Sequence, residues 1–202
     1  MNVFPIVFDP DRWIRVPVDW TDEQWPDAES WASWVADEVT RDRGTADDLI
    51  AAIRDQAVAV ATFPTEHVGA RFWYFPVDSD PRGWLDLYVQ RRDPDGTTAR
   101  ELLPGLDRTL IDPVVDELEG EVFDDFARRL SLVPLGERQL GEGHSGILAK
   151  AEWLAITGGW VVYGISVDDD PRWLTQRLAD GDRLVAGMDQ AALAALAGGA
   201  RA

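Results

Sequence analysis

The apolar and polar positions of this chain change period several times, and each change predicts an element. Residues 2–8 are apolar and β-prone. Trp-Ile-Arg-Val-Pro-Val at residues 13–18 alternates and reads as a second strand, with Pro17 placing it at an edge or a bulge. Asp9-Pro10-Asp11 between them is turn chemistry. Thr21 opens a helical turn: Thr21 and Gln24 have the capping-box spacing, and Trp20 and Trp25 occupy the two staple positions. After Pro26 a longer helix runs to about Arg43, with a stripe of Trp31, Trp34, Val35 and Val39 and a natural stop at Gly44. Thr45 then caps a second helix that carries Leu49, Ile50 and Ile53.

The middle of the chain reads as a β-meander. Its runs are Ala57–Phe63, Arg71–Val77 and Trp84–Arg91, and residues 78–83 and 93–96 have turn composition. Pro104-Gly105 breaks any helix between Leu102 and Leu110. Asp112-Pro113 has the chemistry of a helix start, and Val115, Leu118, Val122 and Phe126 continue it at helical spacing to about Leu130. Three strands follow, Ser131–Arg138, Gly146–Ile156 and Trp160–Val167, the last two joined by a tight Thr157-Gly158-Gly159 loop. Asp170 caps and Pro171 begins a final helix with Leu174, Leu178, Val185 and Met188 on its stripe. The Ala- and Gly-rich residues 191–202 read as a frayed tail.

The expected order is therefore ββ-αα-βββ-α-βββ-α. Hairpin connections dominate and no βαβ alternation is seen, so the strands should pair mostly antiparallel. The expected fold is one α+β domain over residues 1–190: a mostly antiparallel sheet flanked by helices, close to an αβα sandwich. An amphipathic helix after N-terminal strands, a meander, and a last hairpin of Ala149–Ile156 with Trp160–Val167 running into a closing helix resemble the Mog1/PsbP-like superfamily in element order. That resemblance implies a central antiparallel sheet with flanking helices and a binding or assembly role rather than catalysis. It carries no functional residue across to this chain.

Charge narrows the partners. There are 37 acids against 19 bases, a formal net charge of −18, in a chain of 202 residues. Such a field repels nucleic acid and anionic lipid and steers basic molecules inward. The bases are 18 Arg and the single Lys150, a skew that fits a high-GC bacterial coding sequence. Cysteine is absent, which excludes thiol nucleophiles, disulfides and Cys-based metal sites. The N-terminal run has no basic leader region and no stretch reaches membrane-spanning length, so a cytoplasmic protein is expected.

Few motifs carry chemistry. Gly-His-Ser-Gly at residues 143–146 has the start of a nucleophile elbow. Position 147 is Ile, however, and no His follows the Ser, so the segment reads as a loop. His67 and His144 are the only histidines, each in a predicted loop, and paired Asp residues in turns lack the further oxygens of a Ca²⁺ loop. No catalytic residue, metal or cofactor is expected.

The remaining signal is aromatic. Five of the ten tryptophans fall in the first 34 residues, and no basic residue lies between Arg15 and Arg41. Trp84, Asp86 and Tyr88 share one predicted strand face. Trp20, Asp22, Glu23, Trp25, Trp84, Asp86 and Tyr88 are accordingly the candidate partner-binding residues, since Trp and Tyr concentrate in interface hot spots. The expected function is a non-catalytic protein-interaction protein (an adaptor, a secretion-associated chaperone or an immunity-type protein) with a basic protein as its expected partner. Two alternatives stand beside it. One is an enzyme or small-ligand binder with a pocket between sheet and helices, involving His144, Glu142 and His67. The other is a structural subunit of a homo-oligomer, assembled through an exposed strand or the Trp84/Tyr88 face.

Overall fold

A computed structural model of the chain describes residues 6–21, 24–92, 95–189, 191 and 193, with 138 and 139 described by backbone alone. In chain order the elements are β1 (Trp13–Val16), α1 (Ala28–Thr40), α2 (Asp47–Thr62), β2 (Ala70–Tyr74), β3 (Trp84–Arg91), α3 (Ala99–Leu102), β4 (Val114–Glu117), β5 (Asp125–Leu135), α4 (Glu137–Leu140), β6 (Gly146–Thr157), β7 (Trp160–Asp168) and α5 (Pro171–Ala186). The strands form one antiparallel sheet in the order β1-β2-β3-β7-β6-β5-β4. Two meanders, β1-β2-β3 and β4-β5-β6-β7, meet at the central β3–β7 pair. The fold is α+β, with helices on both faces of an antiparallel sheet.

Strand alternation sorts the interior into two layers. Phe72, Leu85, Leu87, Trp153, Ala155 and Val162 point to one face and are covered by Leu174, Leu184 and Val185 of α5. Val16 and Trp73 point to the other, where Trp31, Ala32, Val35 and Ala36 of α1 and Ile53, Ala57 and Val60 of α2 complete a second core. On that same second face Ala99 of α3 packs on Ala127 and Leu154, over the far half of the sheet. Helix α5 reaches the sheet through Gly181, where an added Cβ would lie 2.7 Å from Cζ2 of Trp153. The Trp153 indole is itself pinned, its Nε1–H donating to Asp182 at 2.7 Å.

Helix boundaries follow local chemistry, with three departures from the sequence reading. Helix α1 is capped by Asp27, which accepts from the Ser30 N–H at 2.7 Å. The Thr21 hydroxyl donates to Asp19 at 2.7 Å, and the helical turn expected after it runs through residues 22 and 23, outside the described residues. Thr45 is not the cap of α2: the N-cap position is Ala46, with no side-chain hydrogen bond. Residues 57–62 are the last turns of α2, not a strand. Their Ala-Val alternation imitates a period of two, but Ile53, Ala57 and Val60 also fit helical spacing, and alanine favours the helix. Residues 114–130 are the β4–β5 hairpin, not a helix. There Leu118 donates its N–H to the Phe126 carbonyl at 2.8 Å, and the turn closes with Phe123 folded onto Gly120. The helical spacing of Val115, Leu118, Val122 and Phe126 is a coincidence of a β-branched strand and a phenylalanine-packed turn.

Other expectations map directly. β3 spans the expected Trp84–Arg91, β6 and β7 lie within a residue of their expected ends, and α5 begins at Pro171 with Asp170 as its cap. Most of the strand expected over residues 2–8 lies outside the described residues; of its described part, Ile6 makes an isolated bridge to Met188. The expected tail also lies mostly outside them, but Leu193 is buried in the α5-side core, so packing extends past residue 190.

Candidate functional site

The expected Trp84/Asp86/Tyr88 surface is divided by the tertiary structure. Asp86 is a correction: it is only 5% exposed, and its carboxylate is held by Arg71 through Nε at 2.6 Å and a second guanidinium nitrogen at 2.9 Å. Arg71, equally buried, also donates to the carbonyls of Val60 at 2.7 Å and Phe63 at 3.0 Å and to the Thr65 hydroxyl. These carbonyls belong to the C-terminal end of α2, whose last acceptors have no partner within the helix. Arg71 and Asp86 thus dock α2 onto the sheet. Trp84 is drawn into the same structure, its ring 4.7 Å from that of Phe63 and facing the Arg71 guanidinium. A period-two pattern marks which residues share a face but not which helix covers it, so this role was not visible in the sequence.

The N-terminal aromatics are arranged differently from the expected surface. Trp31 is fully buried, but Trp34, expected on the same core stripe, is 43% exposed. Trp25 and Trp34 pack with ring centroids 5.0 Å apart and planes tilted by 48°. Trp20 and Trp25 are partly buried against the α1–α2 core. Asp22 and Glu23 lie outside the described residues. The exposed face of α1 carries Ser30, Trp34, Asp37 and Glu38 at helical spacing, with exposed Asp27 and Glu29 near its start. The Asp27 carboxyl is held below the usual range by the backbone N–H of Ser30, so it stays ionised well into acid.

The third part is a cleft on the α1–α2 face, beside α3. It has a volume of about 560 Å³ and a floor of Leu154, Val161 and Tyr163, with Leu102 and Pro104 as one wall. Tyr88, the third member of the expected surface, stands at its rim with Gln90, Arg91 and Arg92, its ring 5.8 Å from Tyr163. The Tyr163 hydroxyl donates to Glu152 at 2.7 Å. Glu152 is fully buried and is also held by Arg129 at 2.6 Å and Lys150 at 2.8 Å. Burial, the Glu152 charge and this hydrogen bond push the Tyr163 phenol up, and burial followed by the Asp86 charge does the same for Tyr88. Both phenols are neutral at physiological pH.

Sequence reasoning missed this buried polar cluster. The available signal was Lys150 and Glu152 alternating with Ala149, Ala151 and Trp153, which places two charges on one face of an otherwise apolar strand. Nothing in that pattern revealed Arg129 as the partner, because the β5 segment was read as helix and strand in sequence.

No protein-family model matches the chain, and no curated protein matches it either. Among the described residues no group of three or more His, Asp or Glu comes together as a metal site, and no helix is long and apolar enough to cross a membrane. His67 lies exposed between α2 and β2, and Glu142 and His144 lie exposed in the β5–β6 connection. At least three strand spacings separate the two places, about 14 Å. These residues do not form a joint active site, which corrects the His-based enzyme alternative.

Proposed function

We propose that this chain is a non-catalytic protein-interaction protein that holds a basic partner on the Trp25/Trp34 face of α1. The observation that carries this reading is the exposed Trp34 indole, packed at a tilt against Trp25 and set among Asp27, Glu29 and Asp37, with Glu38 beside them paired to Arg41 just past the helix end. An indole is the strongest common side-chain acceptor for a cation over its face, and neighbouring carboxylates add attraction and orientation. The opposite side of α1 is fully buried, so the surface is presented on a rigid element and little order is lost on binding. The binding or assembly roles of the Mog1/PsbP-like superfamily are in keeping with this reading.

Affinity capture from cells that naturally make the protein tests it, with Trp34→Ala alongside the wild type. The expected outcome is enrichment of a basic protein that Trp34→Ala loses, and that weakens as salt shortens the Debye length to about 3 Å near 1 M. Equal capture by both proteins overturns it. A second reading, self-association, is favoured by the outer edge of β4, where Leu110, Ile111 and Val114 are all exposed beside a strand edge that no described strand covers. Sedimentation of the wild type against Val114→Lys separates the two, because only self-association responds to that change.

A further inference from the structure

The cleft beside α3 has a composition unlike the rest of this acidic molecule. Its floor and wall are apolar, and its polar groups gather at the rim. Three of those groups are uncommitted among the described residues: the Tyr88 hydroxyl and the Gln90 amide make no hydrogen bond, and Arg91 makes no ion pair. Arg92 is different, its guanidinium being taken by Asp95 at 2.6 Å. The volume of about 560 Å³ falls within the range of small-molecule sites.

The charge beneath the floor has a sign. Glu152 contributes −1 and its partners Arg129 and Lys150 contribute +2, which leaves +1 held behind Tyr163. Arg129 also donates to the carbonyl of Pro104, the residue that forms the cleft wall, so the cation and the wall are fixed together. Of the acids at α3, Asp125 accepts from the Ala99 N–H at 2.6 Å and Glu101 from the Thr98 N–H at 2.9 Å in the capping box. With Arg92 neutralised by Asp95, Arg91 adds a second uncompensated positive charge at the mouth. In a chain of net charge −18, a locally positive, apolar-floored cleft selects for the opposite of what the rest of the surface attracts.

We propose that this cleft binds a small apolar carboxylate, its aromatic or short aliphatic body on Leu154, Val161 and Tyr163 and its carboxylate at the Arg91, Gln90 and Tyr88 rim. The site is separate from the Trp25/Trp34 surface, and neither depends on the other. Tyr163 serves as a neutral floor, its proton already donated to Glu152, and Tyr88 is left as the phenol that donates to the ligand. A cationic ligand is disfavoured by the same two uncompensated charges, and a neutral one gains only the apolar contacts.

The test uses the full chain, ¹⁵N-labelled, titrated with 4-phenylbutyrate, 4-phenylbutanamide and 4-phenylbutylamine. The acid is expected to bind with a Kd on the order of 0.1 mM and to shift the amide signals around Val161 and Tyr163. The amide should bind at least about tenfold more weakly, the value of one charge-assisted hydrogen bond, and the amine should not bind. Arg91→Gln should bring the acid to the level of the amide. Val161→Trp should block acid and amide alike, and Leu102→Trp, which fills the cleft from α3, replaces it if the strand variant fails to fold. No binding of any probe to the wild type overturns the site, and so does binding that Val161→Trp or Leu102→Trp leaves unchanged. Equal affinity for acid and amide, or an acid preference retained by Arg91→Gln, overturns the assignment of a carboxylate.

Discussion

Removing the Asp86 carboxylate separates a surface residue from an interior one. In Asp86→Ala, Arg71 loses two of the five hydrogen bonds it makes among the described residues, and its counter-ion there, while those to Val60, Phe63 and Thr65 remain. Breaking a buried pair by deleting one partner costs about 3–5 kcal/mol, because the remaining charge is left desolvated. The three surviving bonds place this case at the lower end, about 3 kcal/mol. With a urea dependence of about 2 kcal/mol per molar, the midpoint of unfolding should fall by about 1.5 M. Arg71→Met combined with Asp86→Leu should recover part of the loss but not all of it, since the α2 carbonyls of Val60 and Phe63 then lose their donor. Urea unfolding followed by far-UV circular dichroism is the assay. A midpoint within about 0.3 M of wild type for Asp86→Ala, the behaviour of an ordinary surface change, would refute the docking role of the pair and restore Asp86 as a candidate partner contact.

Two further outcomes are expected. Gly181→Ala gains about 1 kcal/mol of helix propensity, but its Cβ meets the pinned Trp153 ring at 2.7 Å, and overpacking of about 1–3 kcal/mol should leave the variant less stable. A raised melting temperature, with Trp153 fluorescence unchanged, would show that α5 has room to move off the sheet. The N-cap carboxyls of Asp27 and Asp170 are both lowered, Asp27 by the Ser30 backbone N–H and Asp170 by the Arg172 guanidinium and its N–H. Groups lowered on folding contribute stability above their unfolded pKa of about 3.9 and lose it as pH falls through the folded value. Asp27→Asn with Asp170→Asn keeps the caps without the titration, so its melting temperature should fall less steeply than wild type below about pH 4. Parallel acid limbs would remove the two carboxylates from the acid response.

Fold class, the central β3 strand, the last hairpin and the closing helix were legible in the sequence. These rest on signals that are local and agree with each other: strict alternation in Trp84–Arg91, a Gly-Gly hairpin loop after Thr157, and Asp170-Pro171 at a helix start. It misread residues 57–62 and 114–130, where two periods fitted the same residues and only packing against α1, or pairing with β5, selected one. What each face meets depended on long-range packing. Asp86 and Tyr88 are two residues apart on one strand face, yet Asp86 lies under the end of α2 and Tyr88 opens onto a cleft. Trp31 and Trp34 are one helical turn apart, yet Trp31 is sealed in the core and Trp34 is open to solvent. Burial depends on which distant segment arrives to exclude water, and a periodic pattern names only the residues that wait together on one side.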